Sequence, residues 1–254
     1  MAQSLPRTRL NTSTLVRVLA DLAVADPVEN RQPFAERLGQ WLDFSDSLAL
    51  YSALNAGIPT VLPGLAADSV AVALRSELTR VAGGLTQAIA ADGLSGSDKV
   101  RIALPCPLPN DSVESASDFA PYHRYYLSHQ REMSHAVTTL RAKVRLVLSE
   151  QSAPLARVAA LDAVLEQGLA ARERTLLANL PALLARHFER LYQTHREALA
   201  ADQADLPAQW MRPGAWLLRF CRDMQSVLRA ELACRLQAVE GLIETLENEE
   251  HPTQ

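Results

Sequence analysis

The chain carries six histidines, at His123, His129, His135, His187, His195 and His251. Two histidines on one helix can share a metal ion only when three or four residues apart, because that spacing puts both rings on one face. Here the nearest spacings are six and eight, and no HExxH string occurs. A metal site is therefore not expected. His129 falls inside an apolar pattern and reads as a core histidine, whereas His123 and His135 fall toward the solvated side. The cysteines Cys106, Cys221 and Cys234 include no CxxC pair. Cys221 and Cys234 lie about 20 Å apart along one helical pattern, beyond disulfide reach. All three read as free thiols of a reducing cytosol. Cys106 sits among prolines with no adjacent base to activate it. No GxxxxGKS/T, GxGxxG or GxSxG string is present, so neither a phosphate-cradling loop nor a serine nucleophile is indicated. Paired acids such as Glu240 and Glu244 read as surface charge. The expectation is a protein that is no enzyme and has no cofactor, metal or small-molecule substrate.

Arginine is the other residue type with chemistry to offer, at 23 of the 25 cations. At about 100° per residue, Arg124, Arg131 and Arg145 fall on one stripe opposite an apolar seam. Arg219, Arg222 and Arg229 make a second stripe, and Arg172, Arg186 and Arg190 a third. Guanidinium groups bind phosphate and carboxylate in a planar fork. Nucleic acid or an acidic partner is thus the ligand class to expect at Arg124, Arg131, Arg145, Arg219, Arg222 and Arg229. The competing reading is bland: amphipathic helices need a solvated face, and Glu132, Glu173, Glu189, Asp223 and Glu231 are interspersed. The net charge of −4 excludes a uniformly basic coat. By position it divides into −4 over residues 1–118, +5 over 119–239 and −5 over 240–254. The Glu-rich end lies at a helix C-terminus, where the macrodipole disfavours anions, so fraying is expected there.

These residues must be carried on helices. In 254 residues there are 41 Leu and 40 Ala against only 4 Ile, and aromatics make up 5%. Leu and Ala are strong helix formers, and strand-favouring residues are scarce. The fold class expected is all-α: a short-helix N-terminal part, then a bundle of three long amphipathic helices with coiled-coil-like seams. Residues 10–92 read as a small N-terminal helical domain. Its helices run about 13–25, 33–41, 47–55 and 68–91, with Gly83-Gly84 a weak point in the last. Leu38, Trp41, Leu42, Phe44, Leu48, Tyr51 and Leu54 are its expected core. Ser45 or Asp46 is the expected cap of the third helix, and Asp68 or Ser69 of the fourth. Residues 93–118 read as a Pro/Ser-rich linker. Residues 119–248 read as a long-helix domain, with 249–254 a tail. Its first seam runs through Phe119, Tyr122, Tyr126, His129, Met133, Leu140 and Val144. The second pattern, about 152–200, has Ser152 as its cap and would reach roughly 70 Å unbroken. Gly168 and Pro181 are the expected bends. The third runs through Leu217, Phe220, Met224, Leu228, Leu232, Leu236, Val239, Ile243 and Leu246. Residues 47–67 carry no charge but contain Pro59, Pro63 and Gly64, so a core helix and buried turn is expected there rather than a membrane span.

Some strings are distinctive as wholes. Pro33-Phe34-Ala35-Glu36-Arg37-Leu38, Trp41-Leu42-Asp43-Phe44-Ser45-Asp46, Leu50-Tyr51-Ser52-Ala53-Leu54 and Phe119-Ala120-Pro121-Tyr122 are four. Trp216 to Phe220 with Arg222-Asp223-Met224 is a fifth. Together they resemble an uncharacterised proteobacterial family, a domain of unknown function met in Burkholderia-type bacteria. That family resembles the accessory proteins of type III Zorya anti-phage systems, the ZorF type more than the ZorG type. The resemblance implies a cytoplasmic component of a phage-defence complex, recruited to an inner-membrane motor. Its implied partner is another defence-operon protein or the motor's cytoplasmic part; a homodimer and DNA are further partners. The motifs are packing strings and carry over no catalytic residue.

Overall fold

The computed structural model describes residues 13–22, 34–55, 67–91, 101–200 and 204–250. Among them 83% are helical and none lies in a strand, so the all-α expectation holds. The helices are α1 (Thr14–Asp21), α2 (Phe34–Trp41), α3 (Phe44–Asn55), α4 (Ala67–Ala90), α5 (Val113–Ala116), α6 (Ala120–Gln151), α7 (Ala153–Leu177), α8 (Leu180–Ala198) and α9 (Trp216–Glu250).

Cross-helix contacts fix the topology. Tyr122 of α6 meets Phe220 of α9 at 5.5 Å between ring centroids. Further along, Gln130 bonds Glu231, and just past the end of α6 Ser152 bonds Glu249 in the last turn of α9. Helices α6 and α9 are therefore parallel neighbours. Arg75 to Glu247 and Gln225 to the Ile89 carbonyl make α4 antiparallel to α9. Arg145 to Glu166 and Gln130 to the Leu177 carbonyl make α7 antiparallel to α6. Helix α8 continues that return beside α9, with Phe188 against Phe220 and Tyr192 against Trp216. The result is an up-down bundle in which the α6–α7 and α7–α8 turns are short, whereas residues 91–119 join α4 to α6 and residues 199–215 join α8 to α9.

The α9 seam is buried as its spacing predicts, with Leu217, Phe220, Met224, Leu228, Val239 and Ile243 all inaccessible. Each such side chain stabilises by roughly 1.5–3 kcal/mol. At the lower end of the bundle, Phe119, Tyr122, Phe188, Tyr192, Trp210, Trp216 and Phe220 form one aromatic cluster. The few aromatics of the chain are thus concentrated where α6, α8 and α9 converge.

Several expectations change. The second long pattern is two helices, α7 and α8, broken at Ala178–Asn179. Pro181 causes the break: it sits in the first turn of α8, where its missing N–H costs nothing. Gly168 leaves α7 unbroken. A Cβ there would lie 2.9 Å from Leu42 Cδ2 and 3.0 Å from Asp46 Cγ, so glycine is the residue that lets α3 approach α7. Helix α4 runs unbroken through Gly83 and Gly84. It already starts at Ala67, ahead of Asp68 and Ser69. Helix α3 is capped by Asp43, whose Oδ1 accepts from the Asp46 N–H at 2.8 Å. Ser152 does cap α7, accepting from the Leu155 N–H at 3.3 Å.

The segment proposed as a linker is held down over its described part, residues 101–118. Leu104 and Ala116 are buried, Ser112 caps α5 and Arg101 pairs with Glu132 of α6. Leu15, Leu19, Ala71, Leu74, Leu78 and Ile89 belong to the same core as α6 and α9. The N-terminal elements α1 and α4 are therefore packed onto the long helices. The Glu-rich end is helical to Glu250. Glu247 pairs with Arg75 at 2.5 Å, which holds its carboxyl below the usual range, and Glu249 accepts from Ser152 at 2.8 Å. These partners offset the unfavourable dipole that suggested fraying. No helix among the described residues is long and apolar enough to cross a membrane; residues 56–66 of the uncharged stretch lie outside them.

His129 is a core histidine, 1% exposed and edge-on to Tyr125, with Nε2 lacking a hydrogen-bond partner. Burial, then the charge of Arg101, lowers its pKa from 6.5 to about 4. Between those values the unfolded chain binds a proton that the folded chain does not, so stability falls as pH falls through that window. Chemical denaturation at pH 7 and pH 4.5 should show wild type losing about 2 kcal/mol more than His129→Leu. Equal losses would place the acid sensitivity elsewhere.

Candidate functional site

The six arginines picked from the sequence do not share one surface. Arg124, Arg131, Arg219, Arg222 and Arg229 are exposed. None of these five is ion-paired with a carboxylate among the described residues. Arg145 is different. Its side chain is 17% exposed, and its Nη1 donates to Glu166 at 2.5 Å and to Asp162 at 3.2 Å. Arg141 grips Asp162 with both Nε, at 2.8 Å, and Nη2, at 2.6 Å. Two arginines at i and i+4 on α6 thus meet two acids at i and i+4 on α7. Arg145 stitches helices together and leaves the candidate surface.

The third stripe is partly committed as well. Arg172 stacks over the Trp41 ring at 4.6 Å, tying α7 to the α2–α3 turn. Arg190 donates to the Leu22 carbonyl at 2.5 Å and to His187 Nδ1 at 2.8 Å. Arginine has only donors, so Nδ1 accepts and the ring proton sits on Nε2, 2.7 Å from Asp223. That chain of contacts fastens α1, α8 and α9.

Of the five exposed arginines, Arg124 and Arg131 share a face of α6 and the other three lie on α9. Arg219, Arg222 and Arg229 follow one line along α9, which continues to Glu240 and Glu244. The solvent side of α9 is therefore cationic at one end and anionic at the other. Arg131 lies elsewhere, beside Arg235 of α9 and Arg174 of α7, in a shallow hollow of about 190 Å³. Around the α9 axis, Arg235 is about 120–160° from the other three arginines, so the patches face different directions.

Beneath the hollow lies a feature that periodicity could not reveal: Glu231, fully buried on α9. A buried carboxylate is costly unless its oxygens are satisfied. Glu231 accepts from Tyr126 Oη at 2.7 Å, from Gln130 Nε2 at 3.0 Å and from Arg235 Nη2 at 2.7 Å. Burial, reinforced by the Glu231 charge, pushes the Tyr126 phenol well above its ordinary range, so it stays a donor.

The most exposed apolar surface is on α3. Phe44 is 85% exposed, Leu48 56%, Tyr51 66% and Leu54 54%. These four were expected in a core, and the structure puts them in solvent. The reason is that α3 is apolar on two sides. Leu42, Asp46, Leu50 and Ala53 are the half-buried side, and Leu42 and Asp46 reach Gly168 of α7. Among the described residues no helix lies against the opposite side. The α3 sequence contains one charged residue, Asp46, and it belongs to the α7 side. The outer stripe is thus apolar with serine and asparagine at its edges.

The thiols are unactivated. Burial raises Cys106 and pushes Cys221 up to about 12. Among the described residues no group of three His, Cys, Asp or Glu could hold a metal ion.

Residues 1–248 match the model of the family described as protein of unknown function DUF3348, and the chain belongs to that family. No curated protein and no solved structure matches the chain.

The two classes of arginine separate by stability. Removing Arg145 leaves Glu166 and Asp162 half-buried with less compensation, so Arg145→Ala should cost about 1–2 kcal/mol. Arg222→Ala should stay within about 0.5 kcal/mol of wild type. Urea denaturation of both variants checks this; equal effects would remove the distinction.

Proposed function

We propose that this DUF3348 protein is a binding component rather than a catalyst, and that it docks a partner protein on the outer face of α3. The observation that carries this reading is the stripe Phe44, Leu48, Tyr51 and Leu54, each more than half exposed on one helix. Contiguous apolar surface of this kind is characteristic of protein contact sites. A helix presenting anchors at i, i+4 and i+7 packs into a groove or beside another helix. The outer face lacks charge, so the partner is recognised by apolar packing, with little dependence on salt.

The resemblance to Zorya accessory proteins supports the choice of partner. On this reading it is another protein of the same defence operon, a second accessory protein or the motor's cytoplasmic part. The protein would act in the cytoplasm and be recruited to the inner-membrane motor. The second reading is a DNA-binding component. It draws on Arg219, Arg222 and Arg229, exposed and without ion-pair partners among the described residues, and on Arg124. That reading requires affinity that falls steeply with salt.

A pull-down of the neighbouring gene products, with and without linear DNA, separates the two. Capture of one neighbour should survive 0.5 M salt and weaken at least tenfold in Phe44→Glu/Tyr51→Glu. A wild-type protein that stays monomeric and captures no neighbour would overturn the docking reading. A mobility shift that persists after Arg124, Arg219, Arg222 and Arg229 are replaced by Glu would sink the DNA reading.

A further inference from the structure

The hollow at the α7–α8 break has a charge arrangement that the α3 stripe does not explain. Three arginines from three helices line it: Arg131 from α6, Arg174 from the last turn of α7 and Arg235 from α9. Leu127, Gln130, Ser134, Leu177 and Ala178 complete the wall. The nearby acids are already engaged. Glu231 is saturated by Tyr126, Gln130 and Arg235, and Glu173 reaches Arg235 at 3.3 Å. Both carboxylates are therefore spent on Arg235. Arg174 uses Nε on the Ala170 carbonyl at 3.2 Å. Neither Arg131 nor Arg174 meets a carboxylate among the described residues.

Glu231 and Glu173 compensate Arg235, so the uncompensated charge of the hollow is that of Arg131 and Arg174 at its rim, and an anion held between them relieves their repulsion. The arrangement is also preorganised. Arg235 is 14% exposed and is fixed from below by the buried carboxylate. Gln130 Nε2 donates to the Leu177 carbonyl at 3.2 Å and holds the end of α7 against α6. That contact sets where Arg174 emerges. The forked donors of Arg131 and Arg174, on two sides of a small hollow, match the oxygens of a tetrahedral oxyanion.

We propose that the hollow bounded by Arg131, Arg174 and Arg235 at the α7–α8 break binds a phosphate group. Arg131 and Arg174 supply the free donors from the rim, and Arg235, held by Glu231 and Glu173, lines the floor between them. The inference does not rest on the α3 docking reading, and it is separate from the α9 arginine patch, which faces another way. The phosphate belongs either to a small phosphorylated molecule or to a nucleic-acid backbone.

The test is a calorimetric titration of the intact protein with inorganic phosphate, with sodium chloride at equal ionic strength as the control. Wild type should bind phosphate, and Arg131→Ala/Arg174→Ala should weaken binding at least tenfold. Both positions are exposed, so the double variant should keep the wild-type melting temperature in phosphate-free buffer. Arg222→Ala/Arg229→Ala should bind phosphate as wild type does. Displacement of phosphate by a mononucleotide but not by a DNA duplex identifies a small-molecule site. Displacement by the duplex, lost in the Arg131/Arg174 variant, identifies a backbone phosphate. No heat above the chloride control, or equal affinity in the Arg131/Arg174 variant, overturns the proposal.

Discussion

The burial of α9 is the constraint on which the rest of this fold depends. A 35-residue helix with residues such as Leu217, Phe220, Met224, Val227, Leu228, Val239 and Ile243 inaccessible needs neighbours around much of its circumference. Helix α6 lies parallel beside it, and α4, α8 and α1 cover other flanks. The parallel pairing of α6 with α9 is unavailable to helices joined by a short loop. The chain achieves it by sending α7 and α8 back between them. The length of the returning pair is thus set by the need to deliver α9 at the level of α6.

Apolar seams alone would tolerate a slip of α6 along α9, since many neighbouring registers also pair leucine with leucine. The buried Glu231 removes that freedom. Moved by one turn, its carboxylate would lose Tyr126 and Gln130 as donors and keep only Arg235, which moves with it, and a buried carboxylate stripped of donors is costly. The His187–Asp223 contact does the same for α8 against α9, and Arg141 with Asp162 does it for α6 against α7. Each of these helix pairs carries polar contacts that fit a single register. Stability comes mainly from the hydrocarbon, and alignment comes from these few charged groups.

Much of this was legible in the sequence, for a definable reason. Spacing reports which residues share a helix face, so the α6 and α9 seams could be read off directly, and Tyr122, Tyr126, His129 and Met133 are all buried. Proline geometry likewise located the break before α8. What spacing does not report is whether a face has a partner. Phe44, Leu48, Tyr51 and Leu54 look like core residues because they are large and periodic, and only the packing of α3 on α7 through its other side exposes them. Nor does spacing reveal which acid lies across from which base. Arg145 and Arg222 have the same relation to their own seams, yet α7 brings Asp162 and Glu166 to one, and among the described residues no carboxylate pairs with the other. The hollow around Arg131 was half visible: Arg131 was picked out, while Arg174 and Arg235 come from helices whose meeting point depends on tertiary structure.

The break at Ala178–Asn179 links the local and the functional levels. A continuous α7–α8 helix would carry its backbone past α6 without interruption. Pro181 cannot supply the N–H that such a helix needs, so α7 ends at Leu177 and its last carbonyls turn toward other donors. Gln130 answers one of them, and in doing so its amide also reaches Glu231. The carboxylate then orients Arg235, and the open end of α7 brings Arg174 to the same place. One residue that cannot continue a helix is enough to set three guanidinium groups around a hollow in an otherwise regular bundle.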